Sequence, residues 1–232
     1  MLDGPRLLPQ NGAAPEALVV MLHGFGADGD DLIGLAPSFQ DILPKAAIVA
    51  PHAPDPVPGY PQGRQWFDLK TLSSDEIALG ARLAAPNVQA FLEAEGRKYN
   101  LPLSKMVLLG FSQGCMMALH VGLRLPQPVA GIIGLSGLLP DPKALKTEIK
   151  THPPVFLAHG LVDDVVPADM TLLSATVLAD AGCCPQYRLV PNLPHGIDPE
   201  TATFAARFAA DALSGRCAGQ VPPEPVRNPV SS

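Results

Sequence analysis

The strongest constraint on the fold is a series of short, almost wholly apolar runs that recur along the chain. They occupy residues 18–22, 46–50, 105–110, 129–135 and 155–158. Consecutive apolar residues, rather than alternating ones, predict strands covered on both faces, the condition of a parallel sheet. A more polar run at 186–190 predicts a strand near the sheet edge. Segments with helical spacing lie between these runs. One spans 74–99 and opens with Ser74, Asp75 and Glu76, whose acids suit the positive end of a helix. Pro86 predicts a kink or a break within it. Residues 113–125, 168–181 and 199–213 are the other clear helices. Strands alternating with helices give an α/β class, with a mostly parallel central sheet and helices on both faces. No repeat or linker interrupts 18–213, so a single domain is expected there. Residues 1–17 form a segment ahead of it. Residues 214–232, rich in proline and small polar residues, form a tail expected to be disordered. Residues 51–65 carry five prolines and predict a long ordered loop, a feature that often serves function in a compact domain.

Composition narrows the function classes. With 232 residues, 47% of them hydrophobic, the chain can bury a sizeable core. A net charge of −6 argues against nucleic-acid partners, which require basic patches to displace counterions. It argues equally against docking to an anionic membrane. No basic stretch followed by an apolar run opens the chain, so no secretory signal is expected. No apolar run reaches the roughly 18 residues of a membrane span, so no stable membrane insertion is expected. Cys115, Cys183, Cys184 and Cys217 show no C-x-x-C spacing, and the adjacent pair cannot easily bridge. Four reduced thiols in a cytoplasmic protein are the expectation.

Chemistry is concentrated in Gly110-Phe111-Ser112-Gln113-Gly114, a G-x-S-x-G motif set between an apolar strand and a helix. A sharp strand-to-helix turn needs small flanking residues. It also lifts the serine above the carboxyl end of the sheet, where the helix amino terminus favours negative charge. A serine hydroxyl needs a histidine to take its proton and an acid to hold that histidine. The chain order expected for this context is serine, acid, histidine. His120 lies inside the helix after the serine and cannot turn back to it. His152 precedes a strand, and His159 comes before the candidate acids, where it can shape the loop. His195, in Leu193-Pro194-His195-Gly196 between the last strand and last helix, is the expected base. The acid belongs in 159–167, where Asp163 and Asp164 compete and spacing does not separate them. The oxyanion of an acyl-transfer intermediate needs N–H donors. One is expected from Gln113, after the nucleophile. The other is expected from Phe25, in the glycine-rich turn His23-Gly24-Phe25-Gly26. The turn has no lysine, so a nucleotide cradle is not expected.

Together these residues resemble the phospholipase/carboxylesterase family of α/β-hydrolases. The resemblance rests on Leu22-His23-Gly24-Phe25-Gly26, the Ser112 pentapeptide, His159-Gly160-x-x-Asp163-x-Val165-Val166-Pro167 and His195-Gly196, with Trp66-Phe67-Asp68-Leu69 in addition. It spans about 18–213 and implies an α/β-hydrolase fold, a mechanism free of metal and cofactor, and a shallow acyl groove. It selects Asp163 as the acid. It places Trp66 in the wall of the substrate groove, although the residue alone reads equally as a core tryptophan. The family includes homodimers, so a homodimer is compatible with it. The sequence Ala27-Asp28-Gly29-Asp30-Asp31 departs from the acyl-protein thioesterase branch and looks closer to bacterial esterases.

The expected function is a serine carboxylesterase acting on small esters with short or medium acyl chains, since no long lid insertion falls between residues 137 and 153. Thioesterase or lysophospholipase activity on the same triad is the alternative. A catalytically dead hydrolase serving as a binding module is a third reading, and fluorophosphonate labelling discriminates it.

Overall fold

The apolar runs do form the sheet. The computed structural model describes residues 2–217. Its strands are β1 (Arg6–Leu7), β2 (Ala17–Leu22), β3 (Ala46–Val49), β4 (Asp55–Val57), β5 (Tyr60–Gln65), β6 (Met106–Phe111), β7 (Gly131–Leu135), β8 (Val155–Gly160) and β9 (Pro185–Val190). Its α-helices are α1 (Gly29–Leu32), α2 (Ala36–Ile42), α3 (Ser74–Tyr99), α4 (Gln113–Gly122), α5 (Pro142–Glu148), α6 (Asp169–Asp180) and α7 (Pro199–Leu213). Seven strands make one sheet in the order β1-β3-β2-β6-β7-β8-β9. All neighbours run parallel except β1, which pairs antiparallel with β3 through Arg6 and Val49. The more polar β9 is an edge strand, as its composition predicts.

Side-chain alternation explains why the strands are apolar throughout. Leu18, Val20 and Leu22 of β2 enter one core, with α3, α4 and α6. Val19 and Met21 enter the other, with α2 and α7. Both faces of the strand are therefore covered, and each consecutive residue must be apolar. Helix α4 is buried at every one of its positions, which accounts for its lack of a polar face.

Three local features differ from the sequence expectation. The proline-rich stretch 51–65 contains a two-stranded ribbon, β4 with β5, rather than a plain loop. Gly59, at φ +81°, lets the chain reverse. Pro56 and Pro61 are tolerated because a two-stranded ribbon leaves outer edges that need no donors. Helix α3 passes through Pro86 without a break. Pro86 and Arg82, whose carbonyl it leaves without a helical donor, both lie on the exposed face, while Ala84, Val88, Phe91 and Leu92 fix the buried side. Residues 1–17 supply the edge strand β1, and Arg6 places its guanidinium 3.1 Å from both carboxylate oxygens of the buried Glu95 on α3. Of the expected tail, residues 218–232 lie outside the described residues. No helix among the described residues is long and apolar enough to cross a membrane.

His120 is 3% exposed in α4, and its Nδ1 has no partner. Burial, reinforced by the charges of Arg124 and Arg82, pushes its pKa down from 6.5 to about 4. Below the unfolded value the unfolded chain binds the extra proton, so stability falls as pH drops from 6.5 toward 4 and then levels. Urea denaturation should show His120→Gln losing less stability than the wild type between pH 7 and 4.5, by on the order of 2 kcal/mol. Parallel pH dependences would contradict this.

Candidate active site

The site begins at the end of the central strand β6. Ser112 joins β6 directly to α4 with φ 52° and ψ −115°. This backbone conformation is uncommon for a residue with a Cβ. The Ser112 N–H donates to the Leu135 carbonyl of β7 (2.9 Å), and the Cys115 N–H donates back to the Ser112 carbonyl (3.0 Å). The flanking glycines are required by contact. A Cβ at Gly110 would overlap the Gly114 carbonyl, and one at Gly114 would overlap the Leu22 carbonyl of β2. A Cβ at Gly24 would crowd the Phe111 ring and the Ser112 Cβ.

Two loops at the same end of the sheet bring Asp163 and His195 together. Asp163, after β8, accepts the His195 Nδ1–H on Oδ2 at 2.7 Å. Its Oδ1 accepts the N–H groups of Val165 and Val166, both at 2.9 Å. Asp164 is exposed, so only one of the two adjacent aspartates faces the imidazole. Burial pushes the Asp163 carboxyl up, but the His195 hydrogen bond and the two amide donors outweigh it and hold it below the ordinary value. His195 follows β9, and its ring packs on Phe111, the neighbour of Ser112, with centroids 4.9 Å apart. With Nδ1 engaged, Nε2 is the nitrogen available for proton exchange. The loops are tied to each other by the Leu161 N–H to the Val190 carbonyl (2.9 Å) and the Val162 N–H to the Leu193 carbonyl (3.2 Å). His159, set aside as the base because it precedes the acids, also reaches Asp163 Oδ2 at 3.0 Å.

The glycine-rich turn after β2 sits beside the serine. The Gln113 N–H is at the first position of α4, where no intrahelical acceptor exists. Among the described residues the Phe25 N–H meets no backbone acceptor, and the Phe25 side chain is half-exposed. The ribbon fixes this turn. The Gly26 N–H donates to the Arg64 carbonyl and the Arg64 N–H to the Ala27 carbonyl, both at 2.9 Å.

Two anchors were not legible as such in the sequence. His23 is fully buried and accepts the Ala53 N–H on Nε2 at 2.9 Å. The proton therefore lies on Nδ1, which donates to the Gly24 carbonyl at 2.8 Å. Burial lowers its pKa and keeps it neutral. The Gln113 side chain accepts the Trp66 N–H (2.9 Å) and donates to the Phe67 carbonyl (2.7 Å). Trp66 is 2% exposed and donates its indole N–H to the His23 carbonyl at 2.9 Å. The indole thus braces the turn that carries Phe25. The only sequence signal for these roles was polar residues placed in apolar surroundings.

An apolar cavity of about 290 Å³ opens next to the acid loop. Met116 of α4, Leu138, Val165, Val166 and Leu173 are among its lining residues. Trp66 does not line it and borders instead a separate depression of about 410 Å³ with Phe67 and Gly80. Asp28, Asp30 and His52 are the one group of potential metal ligands among the described residues. His52 Nδ1 accepts the Gly29 N–H at 3.2 Å.

A family model described as Phospholipase/Carboxylesterase matches residues 9–212. The chain belongs to the phospholipase/carboxylesterase family. Similar proteins within it include acyl-protein thioesterase 1 of Mycosarcoma maydis, 30% identical over 86% of this chain and 92% of that protein. The same-named protein of Gibberella zeae is 28% identical over 85% of this chain and 91% of its own. Among solved structures, esterase PE8 superposes with a TM-score of 0.87 at 39% identity, over 91% of this chain and 99% of that one. Zea mays acyl-protein thioesterase 2 superposes with a TM-score of 0.75 at 25% identity, over 90% and 98% respectively. The fold is that of the α/β-hydrolase esterases and thioesterases of this phospholipase/carboxylesterase family, and the protein is a hydrolase of esterase or thioesterase type.

Gln113→Ala removes two buried hydrogen bonds and strands the Trp66 N–H and the Phe67 carbonyl. A loss of roughly 2–4 kcal/mol is expected, read as a fall of about 5–15 °C in Tm. A Tm within about 2 °C of the wild type would show that the clamp does not hold the segment.

Proposed function

We propose that the protein is a serine carboxylesterase that hydrolyses short- to medium-chain carboxylic esters through an acyl-enzyme. Ser112 is the nucleophile, His195 the general base and Asp163 the acid that orients it. The observation that carries this reading is the 2.7 Å hydrogen bond from His195 Nδ1 to a solvent-shielded Asp163, with the imidazole packed against Phe111 at the serine turn. His195 takes the Ser112 proton through Nε2 as the oxygen attacks the acyl carbonyl. The imidazolium that results is stabilised by Asp163, which remains ionised because its pKa is held down. The N–H groups of Phe25 and Gln113 receive the oxyanion. His195 then protonates the departing alcohol, and water repeats the attack on the acyl-enzyme. The apolar cavity beside the acid loop takes the acyl chain. At about 290 Å³ it lies at the small end of the range for ligand pockets, which favours shorter chains. Trp66 contributes through the turn it braces.

A second reading, thioester hydrolysis by the same residues, is favoured by the names of the relatives from Mycosarcoma maydis and Gibberella zeae. Matched oxygen and sulfur esters of one acyl group separate the two readings by their kcat/KM.

Hydrolysis of p-nitrophenyl esters from acetate to palmitate should peak at short or medium chains. Ser112→Ala should lower it at least ~10³-fold. Undiminished activity in this variant would remove Ser112 from the mechanism. Leu173→Trp, on the half-exposed wall of the cavity, should move the optimum toward acetate without loss of stability. An unchanged chain-length profile would detach the cavity from the acyl group.

A further inference from the structure

We propose that His23 is a positioning residue for the oxyanion donor, holding the Gly24 carbonyl so that the Phe25 N–H of the same peptide unit is aimed and strengthened. This rests on the assignment of the Phe25 N–H to the oxyanion of the Ser112 reaction. His23 follows β2 and is wholly buried. Its Nδ1 lies 2.8 Å from the Gly24 carbonyl oxygen, and its Nε2 accepts the Ala53 N–H at 2.9 Å. A carbonyl can only accept and a backbone amide can only donate. The ring is therefore neutral with its proton on Nδ1, and both nitrogens are satisfied. The ring also packs on the Trp66 indole, with centroids 5.3 Å apart.

The consequence falls on one peptide unit. The Gly24 carbonyl and the Phe25 N–H are the two ends of a planar trans peptide, so they point in opposite directions. The Gly24 oxygen also accepts the Ala27 N–H at 3.3 Å. Two donors on one carbonyl fix the plane of that peptide, and with it the direction of its N–H. They also draw charge toward the oxygen and leave the N–H more positive, the cooperative strengthening of a hydrogen-bond chain. The neighbouring groups are committed elsewhere. The His23 carbonyl accepts the Trp66 indole N–H at 2.9 Å, and the Gly26 N–H donates to the Arg64 carbonyl at 2.9 Å. Among the described residues, the Phe25 N–H is the one amide of Phe25, Gly26 and Ala27 that meets no backbone acceptor. The turn lies against the nucleophile, since a Cβ at Gly24 would come within 3.3 Å of the Ser112 Cβ. Of the side chains that brace this turn, His23 is the one that holds the Phe25 N–H's own peptide unit.

Two substitutions separate the two ring nitrogens. In His23→Asn the amide nitrogen takes the place of Nδ1 and can still donate to Gly24, while Ala53 loses its acceptor. In His23→Gln the amide oxygen takes the place of Nε2 and can still accept from Ala53, while Gly24 loses its donor. kcat for p-nitrophenyl butyrate should fall about ten- to a hundredfold in His23→Gln with KM within about twofold, the mark of stabilisation lost in the transition state. His23→Asn should keep kcat within about threefold of the wild type, although it strands a buried amide and is the less stable of the two. A role confined to packing predicts the reverse order. In nitrogen-15 NMR, wild-type His23 should carry its proton on Nδ1, and the Phe25 amide nitrogen should move upfield in His23→Gln. After Ser112 is phosphonylated with a p-nitrophenyl butylphosphonate, the Phe25 amide proton should move downfield as it binds the phosphonyl oxygen. A wild-type proton on Nε2 would overturn the proposal. So would a folded His23→Gln with wild-type kcat, or an equal loss of kcat in both variants. If neither variant folds, the wild-type tautomer and the adduct shift decide. A reversed tautomer with a shifted Phe25 proton defeats the proposal alone. An unlabelled Ser112 or an unmoved Phe25 proton defeats the reading beneath it, and the proposal falls with that reading.

Discussion

Close backbone approach between β2, β6 and α4 is the constraint on which the site depends. Gly114 lies so near the Leu22 carbonyl that no side chain fits, and Gly110 lies equally near Gly114. Only with both contacts can a fully buried helix rise directly from the middle strand of the sheet. The chain absorbs the sharp reversal in one residue, Ser112, at φ 52°. An unfavourable backbone conformation of this kind costs on the order of 1–3 kcal/mol and persists when its surroundings over-determine it. Here the surroundings are strands β6 and β7, the Leu135 carbonyl and the packed length of α4. Every other part of the site is placed by reference to this turn: Phe111 carries the His195 ring, and Gly24 leaves room for the Ser112 side chain.

The electrostatic part of the site is built differently, from loops. A buried carboxylate without donors would take up a proton or distort its surroundings. Asp163 instead collects hydrogen bonds from its own turn and from His195, and these hold its pKa below the ordinary value with no lysine or arginine beside it. Neutral donors are enough because the charge they serve is single and geometrically fixed. The loops that bear Asp163 and His195 are cross-linked by main-chain hydrogen bonds, and the close pass of Gly160 under Leu193 keeps their separation constant.

Much of this was legible in the sequence, for identifiable reasons. Strands covered on both faces must be apolar at consecutive residues, so β2, β3, β6, β7 and β8 announced themselves. The Ser112 pentapeptide carries its own explanation in its two glycines. The resemblance to the phospholipase/carboxylesterase family separated Asp163 from Asp164, which spacing could not do; Asp163 is the one of the two that accepts the His195 Nδ1–H. The ribbon at 55–65 was hidden because prolines veto regular strands, yet an isolated pair tolerates them at its outer edges. Of the kink or break expected at Pro86, the break did not occur, since a hydrogen bond lost on the exposed face is mild beside the packing of Val88, Phe91 and Leu92. The buried contacts of His23 with Ala53 and Trp66 and of Gln113 with Trp66 and Phe67 depend on partners far away along the chain, and no local pattern encodes them.

The clamp formed by Gln113 divides the site into two kinds of surface. On the side of Phe25, the Gln113 side chain holds the Trp66–Phe67 backbone, and the Trp66 indole in turn holds the His23 carbonyl. A change at any of these positions propagates to the others, so this half can descend through a lineage only as a block. On the opposite side, Val165 and Leu173 reach the cavity from exposed positions and have few obligations to neighbours. Divergence of substrate preference therefore has an open path on one wall and almost none on the other. Related hydrolases are expected to share the rigid half and to differ along the free one.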